Sequence, residues 1–218
     1  MFLFFDTETT GLTNSQLPAT DESQPWPVAV AAILCDGDLN EVEEYYRVVK
    51  LPAGVVIHPK AQEVHGLSWE KTQEIGEDPA VVLSAFIALM ARSNFNVAYN
   101  RPFDDKVMRA MAYRTLLREG LTPKRISQIA LDMRFTDIDD FLAHYVFGKT
   151  EGHCAMDLAT NFIKMPGRGM VDNGGWRRHK LTAAYKLLTG LPMPDAHNAL
   201  ADTRGAKEVF KAMLTATV

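Results

Sequence analysis

The chain opens with Met1-Phe-Leu-Phe-Phe-Asp6-Thr7-Glu8-Thr9-Thr10-Gly11-Leu12, and this stretch decides the fold. Its apolar run, residues 2–5, predicts a buried strand that leads into two acids spaced by one residue. Side chains at i and i+2 of a strand point to the same face, so Asp6 and Glu8 aim at one spot. Neighbouring carboxylates repel each other unless protons or a cation compensate, and their oxygens suit Mg²⁺ or Mn²⁺. A surface turn carrying two acids is the alternative, but the apolar run and the following Thr-Thr-Gly favour a metal site.

The composition is that of an ordinary globular protein. With 218 residues, of which 47% are hydrophobic and 23% charged, the sequence predicts a single domain over residues 1–218. Cys35 and Cys154 fit no metal-binding spacing and indicate free thiols in a reducing compartment. No apolar stretch approaches the roughly 20 residues of a membrane helix. The first apolar run stops at Asp6 with no basic residue before it, unlike a signal peptide. We therefore expect a cytoplasmic protein that does not associate with membranes.

The net charge of −4 is unusual for a protein that binds nucleic acid. Several acids gathered as metal ligands would remove this objection, because two bound divalent cations would bring the formal charge to zero. Net charge therefore excludes neither a nucleic-acid partner nor any other.

The rest of the chain predicts strands first and then alternating strands and helices. We expect strands at 28–35 and 42–49 joined by the turn Asp36-Gly37, and a short strand at 96–99. Helices are expected from the cap Asp78-Pro79 through Met90, from 102 to about 117, and at 155–165, 181–188 and 199–214. This order indicates an α/β protein with a mixed central β-sheet flanked by helices.

Two acids in the helix that begins near residue 102 face different ways. Helical spacing places Asp104 on the apolar stripe of Val107 and Met108, where an ionised carboxylate needs a compensating partner. Asp105 shares its face with Arg109 instead, and complementing the helix dipole is explanation enough for it. Asp104 is therefore the candidate metal ligand of the two.

The same pattern recurs in His197-Asn-Ala-Leu-Ala-Asp202 near the C-terminus. Asp202 lies on the stripe of Val209 and Phe210, which should be buried. His197 precedes the helix, so it can swing from the loop toward the site that Asp202 faces. A lone His near a helix start is more often structural, but this one accompanies a fourth inward-facing acid.

Together these residues resemble the DEDDh family of 3′→5′ exonucleases, of the proofreading-subunit, exonuclease X and ribonuclease T type. Asp6-Thr-Glu-Thr-Thr-Gly11 matches the first motif of the family in full. Tyr99-Asn100-x-x-Phe103-Asp104 matches the second except at Tyr99, where His is commoner. Val64-His65-Gly66 is similar to the Val-His-Gly segment of the family, and the resemblance extends to about Ala212.

The resemblance implies a ribonuclease H-like fold and two-metal hydrolysis. Asp6, Glu8, Asp104 and Asp202 would hold two Mg²⁺ or Mn²⁺ ions, and His197 would be the general base that takes a proton from the attacking water. Six further positions carry over as substrate contacts: Thr9 and Thr10 near the terminal 3′-hydroxyl, Leu12 and Phe103 on the terminal bases, and His65 and Asn100 in the same pocket.

The implied activity is release of nucleoside 5′-monophosphates from the 3′ end of nucleic acid, with single-stranded DNA or a 3′ overhang as the expected substrate and DNA repair as a role. An exoribonuclease that trims RNA ends is the first alternative, since no residue can be assigned to sensing a 2′-hydroxyl. A catalytically inert nucleic-acid-binding module and a different two-metal enzyme are the others. The complete set of five catalytic residues argues against the inert module. Homodimers occur among relatives, and the short sequence after Asp202 predicts no stable association with a polymerase.

Two other segments have no place in this scheme. Residues 164–180, which we call the basic segment, hold five Lys or Arg, one Trp, four Gly and a single acid. Such a segment could follow the backbone of a single strand, or it could be a flexible, solvated connection between helices. Phe147-Gly-Lys-Thr150 ends like a phosphate-binding loop, but Ala143 stands where that loop needs its first glycine and no apolar strand leads into it.

Overall fold

The computed structural model describes residues 1–167, 171–172, 174–195 and 198–216. Over these residues the chain forms one five-stranded sheet with the order β3-β2-β1-β4-β5. The strands are β1 (Phe2–Thr9), β2 (Pro27–Cys35), β3 (Glu41–Val48), β4 (Phe95–Ala98) and β5 (Glu151–Cys154).

The central strand β1 has one antiparallel and one parallel neighbour. It pairs antiparallel with β2 through Phe4 opposite Ile33, and parallel with β4 through Phe4 opposite Val97. β4 in turn pairs parallel with β5. The carboxyl ends of β1, β4 and β5 therefore meet at one edge of the sheet, and the acids of β1 lie there. The mixed sheet flanked by helices confirms the predicted ribonuclease H-like α/β class.

Helices cover both faces of this sheet. Those in the described residues are α1 (Pro59–His65), α2 (Trp69–Ile75), α3 (Pro79–Met90), α4 (Arg101–Arg118), α5 (Pro123–Asp132), α6 (Ile138–Phe147), α7 (Ala155–Ile163), α8 (Leu181–Thr189) and α9 (Ala199–Thr215). None of them is long and apolar enough to cross a membrane.

The predicted elements are all present, with small shifts at their ends. The cap Asp78 accepts a hydrogen bond from the Ala80 N–H and starts α3. Gly190 ends α8 in the left-handed conformation, with φ of 76°. α7 ends two residues before the predicted limit, because Lys164 adopts a left-handed conformation with φ of 48°.

Alternation along β1 builds two separate cores. Leu3 and Phe5 are fully buried against α3, α4 and α6 on one face of the sheet. Phe4 points to the opposite face and packs against α7, α8 and α9. Helix α9 docks there through Phe210, whose ring centroid lies 5.6 Å from that of Phe4. This division determines which side each acid of β1 approaches.

Candidate active site

Three carboxylates converge at the carboxyl end of β1. Asp6, Glu8 and Asp202 each offer an oxygen, and these three atoms all lie within 4.8 Å of one another. Asp6 and Glu8 have the same parity as Phe4, so they point to the face on which α9 packs. Asp202 lies in the first turn of α9, on the helix face buried by Val209 and Phe210. The strand and the last helix thus bring residues from both ends of the chain together, as predicted.

Asp104 reaches the same edge from the opposite face. It lies in the first turn of α4, is 2% exposed, and sits on the buried stripe of Val107 and Met108, as helical spacing predicted. Its Oδ1 accepts hydrogen bonds from the backbone N–H of Thr7 at 3.0 Å and from the Thr7 hydroxyl at 2.7 Å. Thr7 points away from Asp6 and Glu8, and it therefore meets α4. Asp104 is thus held beside the group of three acids and is not part of it.

The four acids disturb one another electrostatically. Burial raises the pKa of Asp6 well above its usual range, and the charges of Asp104, Glu8 and Asp202 raise it further. Burial, with Asp202 and Asp104, raises the pKa of Glu8 to about 7. Burial raises the pKa of Asp104 to about 7, against the opposing effect of the Thr7 hydrogen bonds. Like charges this close favour protonation or a bound cation.

The donor set fits a hard divalent cation. All three clustered ligands are carboxylate oxygens, which Mg²⁺ and Mn²⁺ prefer, and neither Cys nor Lys belongs to the group. A cation bound between them would also offset the repulsion that adds to the effect of burial on the pKa values of Asp6 and Glu8.

Asp105 does more than complement the helix dipole, which corrects the sequence-based interpretation. Its carboxylate is 12% exposed and accepts a hydrogen bond from the Nε of Arg109, the residue predicted to share its face. Arg101 lies 3.5 Å from its second oxygen. Asp105 therefore forms a largely buried ion-pair network that fixes the start of α4.

A cavity of about 440 Å³ opens beside Glu8. Three of the predicted substrate contacts line it: Thr9, Leu12 and His65. Leu12 is 89% exposed, which is unusual for a leucine and leaves its side chain available to a ligand. The sequence reasoning did not identify His58 and Lys60, which line the same cavity from the start of α1. The predicted Val-His-Gly segment forms the end of this helix.

His65 is the polar group of this cavity with the clearest protonation state. Its Nδ1 accepts a hydrogen bond from the Leu67 N–H at 3.1 Å, so Nε2 carries the proton of the neutral ring. Burial lowers the pKa of His65, with the Thr9 backbone opposing that change. The ring is therefore neutral near pH 7, and its Nε2 is buried.

Thr10 is buried, and its polar groups are used within the protein. Its hydroxyl accepts a hydrogen bond from the Trp26 N–H at 3.0 Å, and its carbonyl accepts one from the His58 N–H at 2.8 Å. Thr10 thereby fixes the segment that enters α1.

Asn100 and Phe103 line a second cavity, of about 470 Å³, at the start of α4. The structure therefore places His65 and Asn100 in two cavities, where the resemblance implied one pocket. Lys106 borders the second cavity, and its Nζ donates to the carbonyls of Asn14, Ser15 and Leu17. It thereby ties the loop that follows Leu12 to α4. The predicted base, His197, lies outside the described residues.

Most of the sequence matches a known protein family. Residues 3–165 match the RNase_T family, whose description is exonuclease. The matched span includes Asp6, Glu8 and Asp104, as well as the six predicted substrate contacts. Comparison with curated proteins finds no match.

The fold is similar to solved structures of E. coli exonuclease I. The complex with a dA16 oligonucleotide has 21% sequence identity and a TM-score of 0.68, with 98% of this chain and 40% of that chain covered. The complex with dT13 has 21% identity and a TM-score of 0.66, with coverages of 99% and 41%. The zinc-bound complex with single-stranded DNA has 20% identity and a TM-score of 0.69, with coverages of 99% and 40%.

This chain thus spans about 40% of the length of the exonuclease I chains it matches. At these identities the likeness concerns the fold. The family match covers most of the sequence and agrees with the motifs from which the DEDDh resemblance was predicted. The chain belongs to the RNase_T exonuclease family.

Proposed function

We propose that the chain hydrolyses the terminal phosphodiester bond at the 3′ end of single-stranded DNA and releases nucleoside 5′-monophosphates. The observation that carries the proposal is the convergence of Asp6, Glu8 and Asp202, with Asp104 beside them, next to a cavity edged by the exposed Leu12. Carboxylates gathered in this way suit a phosphodiester substrate only together with cations, since they would otherwise repel it.

The four acids would hold two Mg²⁺ or Mn²⁺ ions. Bound divalent cations supply charge stabilisation for a phosphoryl group and lower the pKa of water. The protein's part is to fix the ligands: β1 presents Asp6 and Glu8, α9 presents Asp202, and Thr7 orients Asp104. His197 would accept the proton of the attacking water, a role that suits a side chain whose pKa lies near neutrality.

The cavity beside Glu8 would receive the terminal nucleotide. Leu12 and Val64 offer apolar surface for a base, and the neutral ring of His65 forms part of the cavity wall. Phe103 borders the neighbouring cavity and would contact the preceding base. A terminal nucleotide held in this way places the last phosphodiester at the acids, which supports cleavage from an end.

DNA is proposed over RNA because the similar exonuclease I structures contain dA16 and dT13 oligonucleotides. Trimming of RNA remains the second candidate, since the lining of the cavity excludes no 2′-hydroxyl.

The decisive experiment compares single-stranded DNA, duplex DNA and RNA of matched sequence, each labelled at its 5′ end, in the presence of Mg²⁺. We expect a ladder of shortened products from single-stranded DNA, and no cleavage of a circular single strand. Glu8→Gln is the matched control, because it preserves shape and removes one charge. Cleavage of the circle would indicate an endonuclease. Binding without hydrolysis by the native chain would indicate the inert module.

A further inference from the structure

The described residues of the basic segment, residues 164–180, fold back on themselves through isolated antiparallel bridges, and we call this arrangement the hairpin. Trp176 and Arg177 lie between two antiparallel partners, because Trp176 pairs with Pro166 and Arg177 pairs with Val171. The Arg177 N–H donates to the Met165 carbonyl at 2.9 Å, and the Asp172 N–H donates to the Trp176 carbonyl at 2.9 Å. The segment connects α7 and α8 and is largely exposed, and these contacts give its described residues a defined path.

One glycine of the basic segment serves close packing. A Cβ at Gly167 would lie 2.4 Å from the Cβ of Arg177, so a larger residue would push the hairpin apart. Asp172 closes the turn, since its Oδ1 accepts from the Gly174 N–H at 2.9 Å and the Trp176 N–H at 2.8 Å. The single acid of the segment is thus used inside the hairpin.

Two contacts fasten the hairpin to the edge of the sheet that carries the acids. The Tyr99 hydroxyl donates to the His179 carbonyl at 2.6 Å, and the Arg178 guanidinium lies 2.8 Å from an Asp157 carboxylate oxygen. Tyr99 directly follows β4, and Asp157 lies in the first turn of α7, just after β5.

The hairpin lies on the same face of the sheet as the clustered acids. Tyr99 packs in the same core as Phe4, and Asp6 and Glu8 share the facing of Phe4. Because neighbouring strands lie about 5 Å apart, the Tyr99 anchor is roughly one strand spacing from β1.

The hairpin carries positive charge that the fold does not use. Lys164, Arg177 and Lys180 are exposed, and none of them forms an ion pair with any residue that the structure describes. These three cations belong to a hairpin that lies on the same face of the sheet as the three clustered acids, in a chain of net charge −4. The half-buried Trp176 adds an aromatic surface next to them.

We propose that Lys164, Arg177 and Lys180 bind the phosphates of the nucleic-acid strand on the 5′ side of the bond being cleaved. This inference rests on the proposed function, because it takes the clustered acids as the point of hydrolysis. Cations paired with an aromatic group suit a single strand, since charge follows its backbone and a ring accepts any base. The hairpin would hold the strand between successive cleavages, so it matters for long substrates and not for the shortest.

The test compares the variant Arg177→Ala/Lys180→Ala with the control Lys124→Ala/Arg125→Ala. The control removes two exposed cations from α5, which packs on the other face of the sheet. Binding of a long fluorescent single-stranded oligonucleotide is measured by anisotropy in EDTA, where hydrolysis is prevented. Hydrolysis of that oligonucleotide and of a dinucleotide is then measured with Mg²⁺.

We expect the hairpin variant to bind the long strand at least about fivefold more weakly, with a salt dependence flatter by about 1.4 in log–log slope. Its kcat/KM for the dinucleotide should equal that of the native chain, and the control should change neither quantity. The proposal would be overturned if the hairpin variant bound the long strand as tightly as the native chain does. It would also be overturned if kcat/KM for the dinucleotide fell by as much as the affinity for the long strand.

Two further comparisons keep the outcomes separate. Arg177→Gln/Lys180→Gln retains the length of the side chains and should reproduce the result if charge is the cause. A native chain that hydrolyses neither substrate would refute the proposed function, yet the anisotropy comparison would still report on the hairpin.

Discussion

Thr7 donates two hydrogen bonds to a single oxygen of Asp104, at 3.0 Å from its backbone N–H and 2.7 Å from its hydroxyl. The pair joins β1 to the start of α4 at the point where the other acids converge. Because both donors favour the ionised carboxylate, they oppose the rise in the pKa of Asp104 that burial causes. Thr7 therefore influences both the position and the protonation state of Asp104.

Thr7→Val should reduce kcat by about 10- to 100-fold, the usual cost of removing a partner that orients a ligand. Valine keeps the shape of threonine but leaves Asp104 with the backbone donor alone, so the pKa of Asp104 should rise further. Steady-state kinetics and Mn²⁺ calorimetry would measure both effects. Thr7→Ser retains the hydroxyl and should restore most of the activity; equal defects in the two variants would show that packing, not hydrogen bonding, matters.

Asp104→Asn should lower activity by several orders of magnitude, whereas Asp105→Asn should keep most of it. Asp105 is instead tied to Arg101 and Arg109, and its loss leaves Arg101 without its ion-pair partner and Arg109 with only Asp139, at 3.8 Å. The free energy of unfolding should therefore fall by about 2–4 kcal/mol in Asp105→Asn.

Kinetics and chemical denaturation of the two variants would test this distinction. An inactive but fully stable Asp105→Asn would mean that the ion-pair network serves the chemistry and not the fold.

Without metal, the stability of the protein should fall as the pH rises from about 4.5 to about 7. The pKa values of Glu8 and Asp104 are raised to about 7 in the folded chain, so the folded state binds more protons than the unfolded state in this range. Their contribution is favourable below the unfolded pKa and lost as the pH passes the folded pKa. Thermal unfolding in EDTA across this range would show the slope.

Added Mg²⁺ or Mn²⁺ should raise the melting temperature strongly above pH 7 and only slightly near pH 5, because metal competes with protons for the same oxygens. Glu8→Gln should flatten the metal-free slope. If Glu8→Gln and the native chain showed the same pH dependence in EDTA, the clustered acids would not be its source.

His197→Ala should slow hydrolysis by about 10²–10⁴-fold, the typical contribution of a general base. Mn²⁺ affinity and binding of a single-stranded oligonucleotide should change little, because hard cations prefer the carboxylates. Activity of the native chain should rise with pH as His197 loses its proton. A large fall in Mn²⁺ affinity in the variant would make His197 a ligand and require another base.

Much of the site could be predicted because it depends on local periodicity. The two-residue repeat of β1 places Asp6 and Glu8 on one face, and the helical repeat places Asp104 and Asp202 on buried stripes. Strong local sequence signals, the turn Asp36-Gly37 and the cap Asp78-Pro79, also predicted the hairpin of β2 and β3 and the start of α3.

The elements missed had weaker signals. β5 is four residues long and has no apolar run. It forms a strand because its backbone pairs in parallel with β4. α1 and α2 are seven residues each, too short to show a periodic pattern. Thr122-Pro123 repeats the cap-and-proline signal of α3 and could have identified α5. The contact between Thr7 and Asp104 depends on how α4 docks against β1, and no local sequence pattern predicts that docking.

The docking of α9 on β1 has a consequence for the newly made protein. The Phe210 ring packs at a tilt against Phe2 and edge-on against Phe4, and the same docking brings Asp202 to Asp6 and Glu8. During synthesis β1 leaves the ribosome long before α9 has been made. A nascent chain in which α9 has not yet folded therefore holds only two of the three clustered acids, and on the proposed function it would not hydrolyse nearby nucleic acid until α9 docks.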